Sequence, residues 1–411
     1  MKEQNRRMKI LMVNKFLYPR GGAETYFLKI GNYLEDNGHE VQYFGMYDEK
    51  NTMKNNAGLY TKNVDFHNAG MEKILYPFKI IYSRDAKKKL KKVIKDFKPD
   101  IIHMNNINFQ LTPSIIDAAY EEKVPVVQTV HDYQMICPNH LLFNPNTNQI
   151  CEKCIKGSKW NCTKYNCIHG SKVKSILGSV EGILYTKYRD EYKKVNKFIC
   201  PSYFLENKLL SASEIYKGKT IAIHNFIELK PLHSYKKDNY VLFFGRLSEE
   251  KGLKMFLETC KELSNIKFKV AGTGPLDYMC KGIENVEFVG FKTGKELEEL
   301  IARAKFSVYP SIWYENCPLS ILESESLGTP VVTAKNGGMM ELVEDKETGI
   351  LVENINKDNL KKSIENLYNN DSLIEKMSKN CIAKRDKMIS LEQYCNKLLK
   401  IYNEVIEGAK K

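Results

Sequence analysis

The stretch that decides the fold is "YVLFFGRLSEEKGL", residues 240–253. An apolar run rich in valine and phenylalanine ends in a glycine and a charged loop. A helical apolar pattern then runs from Gly252 to Leu263. Short, continuously apolar strands belong to parallel sheets, which helices cover on both faces. Strand, loop and helix are thus the unit of a doubly wound α/β domain.

The unit repeats in both directions. Downstream come the strands "IKFKVAG" (266–272), "NVEFVG" (285–290), "AKFSVYP" (304–310), "TPVVTA" (329–334) and "TGILVE" (348–353), with a helix from Pro318 ended by Gly328. Upstream, "KILMVN" (9–14) leads into a helix marked by Ala23, Phe27, Ile30 and Leu34, which "DNG" (36–38) stops. "HEVQYFGM", "DIIHMNN" (100–106), helix "PSIIDAAYEEK", "VPVVQTV" (124–130), "KFICPS" (197–202) and "KTIAIHN" (219–225) continue that first sheet. Two Rossmann-like domains are expected: residues 1–228, a polar linker at 229–239, and residues 240–390. The helix at 391–411 is expected to pack back on the first domain.

A chain of 411 residues suits two domains, and 43% hydrophobic residues supply a core. No run of about 18 apolar residues exists to span a membrane. The opening "MKEQNRRMKILMVNKF" has an apolar run too short for a signal peptide, so a cytoplasmic protein with mostly reduced cysteines is expected. The net charge of +13 suits a phosphorylated ligand or an anionic membrane, and equally a solvated lysine-rich surface. No nucleic-acid-binding motif appears.

Several motifs lie at strand ends. Arg246 and Lys251 bracket the loop that opens a helix, a suitable place for a diphosphate. "PRGGAE" (19–24) and "KVAGTGPL" (269–276) place Gly22, Gly272 and Gly274 in turns, where glycine allows either a close ligand or simply a tight bend. In "YENCPLSILESESLGTPVV" (314–332), Glu315 precedes a helix and Glu323 lies in its second turn. The amides around Pro318–Ser320 form an anion site. Neither carboxylate suits a cap, and no histidine or third carboxylate stands at metal-ligand spacing except Glu325, which points away from Glu323. Binding hydroxyls beside a phosphate is the better use of the two.

Together "GRLSEEKG", "AGTGP", "VGF", "ENCPLSILESESLGTPVV" and "NGGMMELVEDKETGILV" resemble the nucleotide-sugar domain of family-four retaining glycosyltransferases of the GT-B fold. "PRGGAETY" and "TVHDYQMICP" resemble the matching acceptor-domain motifs, so the resemblance covers nearly the whole chain. It implies a UDP- or GDP-sugar donor and a glycan or lipid-linked glycan acceptor in surface polysaccharide assembly. Arg246 and Lys251 would meet the diphosphate, helped by amides near Asn316–Leu319 and at Gly22. Glu323 would hold the ribose and Glu315 the transferring sugar. Gly272, Gly274 and Phe291 would line the base pocket, and His131 would face sugar and acceptor. No metal or cofactor is expected in catalysis. A sugar-nucleotide epimerase and a non-catalytic sugar-binding protein are the alternatives. The first needs no acceptor, and the second would be marked by loss of Glu315, Arg246 or Lys251, which are all present.

Residues 137–197 depart from a minimal fold of this type. Cys151, Cys154, Cys162 and Cys167, with His169 near, resemble a zinc ligand set, although Cys137 adds a fifth thiol and the spacings match no common zinc finger. A structural zinc, free thiols and a redox pair stay open. From 151 to 197 eleven Lys/Arg face four Asp/Glu, interleaved with Trp160, Tyr185, Tyr188 and Tyr192. A second basic run, "IYSRDAKKKLKKVIKDFK" (81–98), fits an amphipathic helix with Leu90, Val93, Ile94 and Phe97 on one side. Either suits peripheral contact with an anionic membrane, or an ordinary solvated face.

Overall fold

A computed structural model describes residues 7–62, 81–229 and 236–410. The expected linker at 229–239 falls largely outside the described residues. The chain divides into two compact units. One comprises residues 1–147, 151–225 and 391–411, the other residues 226–390 with 148–150.

The first unit carries a six-stranded parallel sheet: β1 (Lys9–Val13), β2 (Glu40–Phe44), β3 (Ile101–Met104), β4 (Val126–Thr129), β5 (Lys197–Cys200) and β6 (Thr220–Ala222). Their spatial order is β2-β1-β3-β4-β5-β6. β3 and β4 are buried along their whole length, as strands covered on both faces must be. Helix α1 (Gly22–Asp36) buries Tyr26, Phe27, Ile30 and Leu34. The last helix, Leu391–Lys410, belongs to this unit and is tied to it by a buried polar chain. The Tyr26 and Tyr394 hydroxyls are 2.6 Å apart. His103 bonds the Tyr402 hydroxyl through Nδ1 (2.6 Å) and Thr129 Oγ1 through Nε2 (2.8 Å).

The basic helix α2 (Arg84–Phe97) spends its apolar side on the core, burying Ala86, Leu90, Val93, Ile94 and Phe97. Lys87 and Lys91 reach Glu121, at the end of α3 (Ser114–Glu121), at 2.6 and 3.0 Å. Lys91 and Lys95 reach Glu122 at 3.2 and 3.6 Å. Three lysines are thus shared between two glutamates of the neighbouring helix and loop, and the apolar side of α2 is spent on the core. The 137–197 segment forms a short ribbon (Phe143–Asn144 with Gln149–Ile150) and two helices, α4 (Asn161–Lys164) and α5 (Lys172–Ile183). Of its aromatics, Tyr185 and Tyr192 are core residues, and only Trp160 and Tyr188 are exposed.

The second unit repeats the plan with β7 (Val241–Arg246), β8 (Phe268–Thr273), β9 (Val286–Gly290), β10 (Phe306–Tyr309), β11 (Val331–Ala334) and β12 (Gly349–Val352). The order is β9-β8-β7-β10-β11-β12, all parallel. The chain runs outward from β7 to β9, then returns to place β10 beside β7. That reversal opens a crevice at the carboxyl ends of β7 and β10, where ligands of open α/β sheets bind. No helix among the described residues is long and apolar enough to cross a membrane.

Candidate active site

The loops after β7 and β10 meet at this crevice. Ser311 Oγ and the Ile312 amide both donate to the Glu250 carbonyl, at 3.0 and 3.1 Å. Gly252, at φ +75°, passes so close to Pro310 that a Cβ would stand 2.1 Å from its carbonyl oxygen. On the other side of β7, Gly272 lies in register with Gly245, and its Cβ would stand 1.9 Å from the Gly245 oxygen. A Cβ on Gly274 would stand 2.3 Å from the Leu247 oxygen. Backbone packing alone thus requires Gly272 and Gly274.

Glu315 is the centre of the site. It is only 7% exposed, and its Oε1 accepts four hydrogen bonds. The donors are Lys251 Nζ (2.5 Å), Trp313 Nε1 (2.5 Å), Ser311 Oγ (2.8 Å) and the Tyr309 hydroxyl (3.2 Å). Lys251 also donates to the Tyr309 hydroxyl at 3.0 Å and stands over the Trp313 ring, 5.2 Å from its centroid. Burial alone would raise the Glu315 carboxyl, but Lys251 and the Trp313 and Ser311 donors hold it below the ordinary carboxylate range. Burial likewise works against the Lys251 cation, and Glu315 and Tyr309 more than compensate. Oε2 has no hydrogen-bond partner among the described residues. Lys251 and Glu315, read separately in the sequence, are one buried ion pair. Tyr309, Ser311 and Trp313 were missed. The signal was present in "YPSIWYE" (309–315), where three hydrogen-bond donors precede the glutamate by two, four and six residues.

The next helix, α6 (Leu319–Ser326), begins one residue later than expected. Pro318 stands before it in an extended conformation, and no side chain caps it. Its first free amides are therefore those of Leu319 and Ser320, left open for an anion. Ser320 faces the end of β7, since a Cβ on Gly245 would lie 3.5 Å from its Oγ. Arg246, at that strand end, is exposed and has no ion-pair partner among the described residues. Asn316, Leu319 and Glu323 are half-buried along the same loop and helix. Glu325 turns the other way, toward Thr348 (2.6 Å) and Lys384 (3.0 Å). The NGG turn supports the site from behind: the Gly338 amide donates to the Glu315 carbonyl at 2.7 Å. Phe291 follows β9 and is 69% exposed.

In the first unit, Gly22 opens α1 after Gly21, and no side chain caps that helix either. His131 follows β4. Its Nε2 meets Asn105 Oδ1 at 2.9 Å, and its ring packs edge-on against Tyr26. Burial depresses its pKa to about 4, so the ring is neutral near pH 7. His103 is depressed to about 3 by burial and serves the core.

The zinc set does not assemble as placed. Among the described residues no group of three or more His, Cys, Asp or Glu is arranged to hold a metal ion. Cys137 Sγ donates to Asn139 Oδ1 (2.9 Å), and Cys162 and Cys167 are free thiols hydrogen-bonded to each other. Burial pushes the Cys154 thiol up to about 12.

Two parallel sheets, each wound outward and back from a central strand, with a held carboxylate at one reversal, define a pair of doubly wound α/β domains. The solved structures agree on the fold. Sucrose-phosphate synthase from Thermosynechococcus elongatus matches with a TM-score of 0.72 at 15% identity, covering 98% of this chain and 100% of that one. Anabaena HepE in complex with UDP matches with a TM-score of 0.68 at 17% identity, covering 97% and 100%. The family model of Glycosyltransferase Family 4 matches residues 20–230, just over half of the chain, and that of Glycosyl transferases group 1 matches residues 226–384. The chain belongs to Glycosyltransferase Family 4. A relative from Klebsiella pneumoniae, an uncharacterized 42.6 kDa protein in the cps region, is 25% identical over 82% of this chain and 87% of its own.

Proposed function

We propose that this chain is a retaining, metal-independent glycosyltransferase. It moves a sugar from a UDP- or GDP-sugar to a glycan or lipid-linked glycan in cell-surface polysaccharide synthesis. The observation that carries the reading is Glu315: four donors saturate Oε1, and Oε2 is left for a substrate hydroxyl. The solved HepE complex with UDP supports a nucleotide donor, and the relative in a cps region supports the polysaccharide setting.

Breaking the bond from the anomeric carbon to the diphosphate leaves an electron pair on the phosphate oxygen and positive character on the sugar. Arg246 and the open amides of α6 stabilise the first. Two protons of the Lys251 ammonium go to Glu315 and Tyr309, and the third is available to the diphosphate. The fixed Glu315 orients the sugar and favours its positive charge, and Glu323 holds the ribose. The acceptor oxygen attacks the same face that the phosphate leaves, and its proton passes to the leaving phosphate. No side chain has to act as a nucleophile, unlike the second carboxylate of a retaining glycosidase. Neutral His131 serves the sugar and the acceptor, and the Gly22 amide adds to the hold on the diphosphate. Gly272, Gly274 and Phe291 border the base.

A thermal-shift panel of UDP- and GDP-sugars tests the donor, because ligand at a hundred times its Kd stabilises by about 2.7 kcal/mol. Absence of any shift would sink the donor reading. Glu315→Gln should abolish most transfer, and NMR of the product should show the donor's anomeric configuration retained. An inverted product would remove the proposed path.

A further inference from the structure

Helix α5 is mounted with its apolar side outward. Its buried residues are Ser175, Gly178, Ser179 and Glu181. The exposed ones include Val173 (69%), Ile176 and Val180, spaced so that they share one face. The mounting is fixed from within. Ser179 Oγ donates to the Lys159 carbonyl (2.9 Å) and pairs with Thr163 Oγ1 (2.8 Å). Ser175 Oγ accepts from the Ile168 amide (3.0 Å). A Cβ on Gly178 would stand 2.4 Å from Ile168 Cδ1, so a larger residue there would have to displace that side chain. The helix cannot roll to bury its valines without breaking these contacts.

The ground around this stripe is basic. From Lys153 to Val180 the chain contains no Asp or Glu, and Lys153, Lys156, Lys164, Lys172 and Lys174 are exposed. Trp160, about half exposed, begins the short helix α4 that packs against α5. Apolar side chains ringed by lysines, with an indole nearby, fit the boundary between anionic headgroups and acyl chains.

We propose that the outward face of α5, Val173, Ile176 and Val180 with Lys172 and Lys174, is a docking surface for an anionic lipid bilayer. The charge selects lipid over a second copy of this chain, because two such basic faces repel. The proposal extends the lipid-linked acceptor reading but stands on this face alone.

The test is co-sedimentation of the full chain with phosphatidylcholine vesicles, with and without about one-third phosphatidylglycerol. Sedimentation is expected with the anionic vesicles and should weaken with salt. Lys172→Gln with Lys174→Gln should lower partitioning about fivefold per lysine. Val173→Gln, Ile176→Gln and Val180→Gln together should lower it at least about tenfold, with helix propensity kept. None of these residues is among those assigned to the donor site, so the nucleotide-sugar thermal shift should persist in both variants. That separates failure here from failure of the donor reading. The proposal is overturned by equal binding to neutral vesicles, by no binding to either, or by unchanged binding of the triple variant. It is also overturned if gel filtration shows an oligomer that the triple variant dissolves while vesicles bind neither protein, since the face would then join copies of the chain.

Discussion

Replacing Lys251 with methionine would strand the Glu315 carboxylate. In the native chain that carboxylate is 7% exposed, and Lys251 is its only ion-pair partner among the described residues. Removing one member of a buried pair costs about 3–5 kcal/mol, because the remaining charge is neither solvated nor paired. Glu315→Gln added to Lys251→Met removes that charge while keeping an acceptor for Tyr309, Ser311 and Trp313. Most of the loss should return, leaving about 1–2 kcal/mol. The pH dependence has a definite sign. In the native chain the folded carboxyl lies below its unfolded value. Its contribution is present above the unfolded pKa, near 4.3, and is lost as pH falls through the folded value. In Lys251→Met, burial acts unopposed and the folded pKa rises above the unfolded one. The contribution is then present at low pH and lost as pH rises through the raised value. The stability gap between native and variant chains should therefore shrink between pH 7 and about pH 4. The chain has two tryptophans, and Trp313 bonds Glu315 directly. Urea unfolding followed by Trp313 emission in a Trp160→Phe background reads the second unit. A gap that does not change with pH, or a double variant no more stable than Lys251→Met, would refute the pairing argument.

Other consequences are equally measurable. Gly272→Ala should cost about 3–5 kcal/mol or prevent folding of the second unit, since its Cβ meets the Gly245 carbonyl. Gly282→Ala, at φ +76° with open space around it, should cost only about 1–2 kcal/mol, and equal urea midpoints for the two would count against the close-packing account. Tyr402→Phe leaves the buried His103 Nδ1 without its partner and should destabilise the first unit by about 1–3 kcal/mol, read by thermal unfolding. Metal analysis of the purified chain should find no stoichiometric zinc, and one zinc per chain would overturn the thiol reading.

The two sheets were legible because fully buried parallel strands leave continuous apolar runs that few other structures produce. Glu315 and Lys251 were legible as charges beside such runs. Their pairing was not, because they lie 64 residues apart and meet only where the crossover after β9 returns β10 to the side of β7. Gly272 and Gly274 stood out as glycines, but the carbonyls that require them belong to the neighbouring strand end. The inserted segment was the least legible. Its polar and aromatic residues follow no clear period, so Tyr185 and Tyr192 read as surface although they are core. The apolar face of α5 would by periodicity alone be placed inside, and it points out because serines and glycines hold the other side.

The ion pair also redistributes the work expected of the two cations. A buried ammonium that shares its charge with a carboxylate projects little net field outward, whereas Arg246 is exposed with no internal counter-ion among the described residues. Attraction for a diphosphate should then fall mainly on Arg246 and the open amides of α6, while Lys251 chiefly sets the position of Glu315. Donor affinity and sugar positioning become separable. Arg246→Gln should leave the melting temperature of the free protein nearly unchanged, as substitutions of exposed residues usually do within about 0.5 kcal/mol, and should abolish most of the nucleotide-sugar shift. Lys251→Met should lower the melting temperature and transfer together. If Arg246→Gln keeps the full ligand shift, the diphosphate is held elsewhere and this division of labour fails.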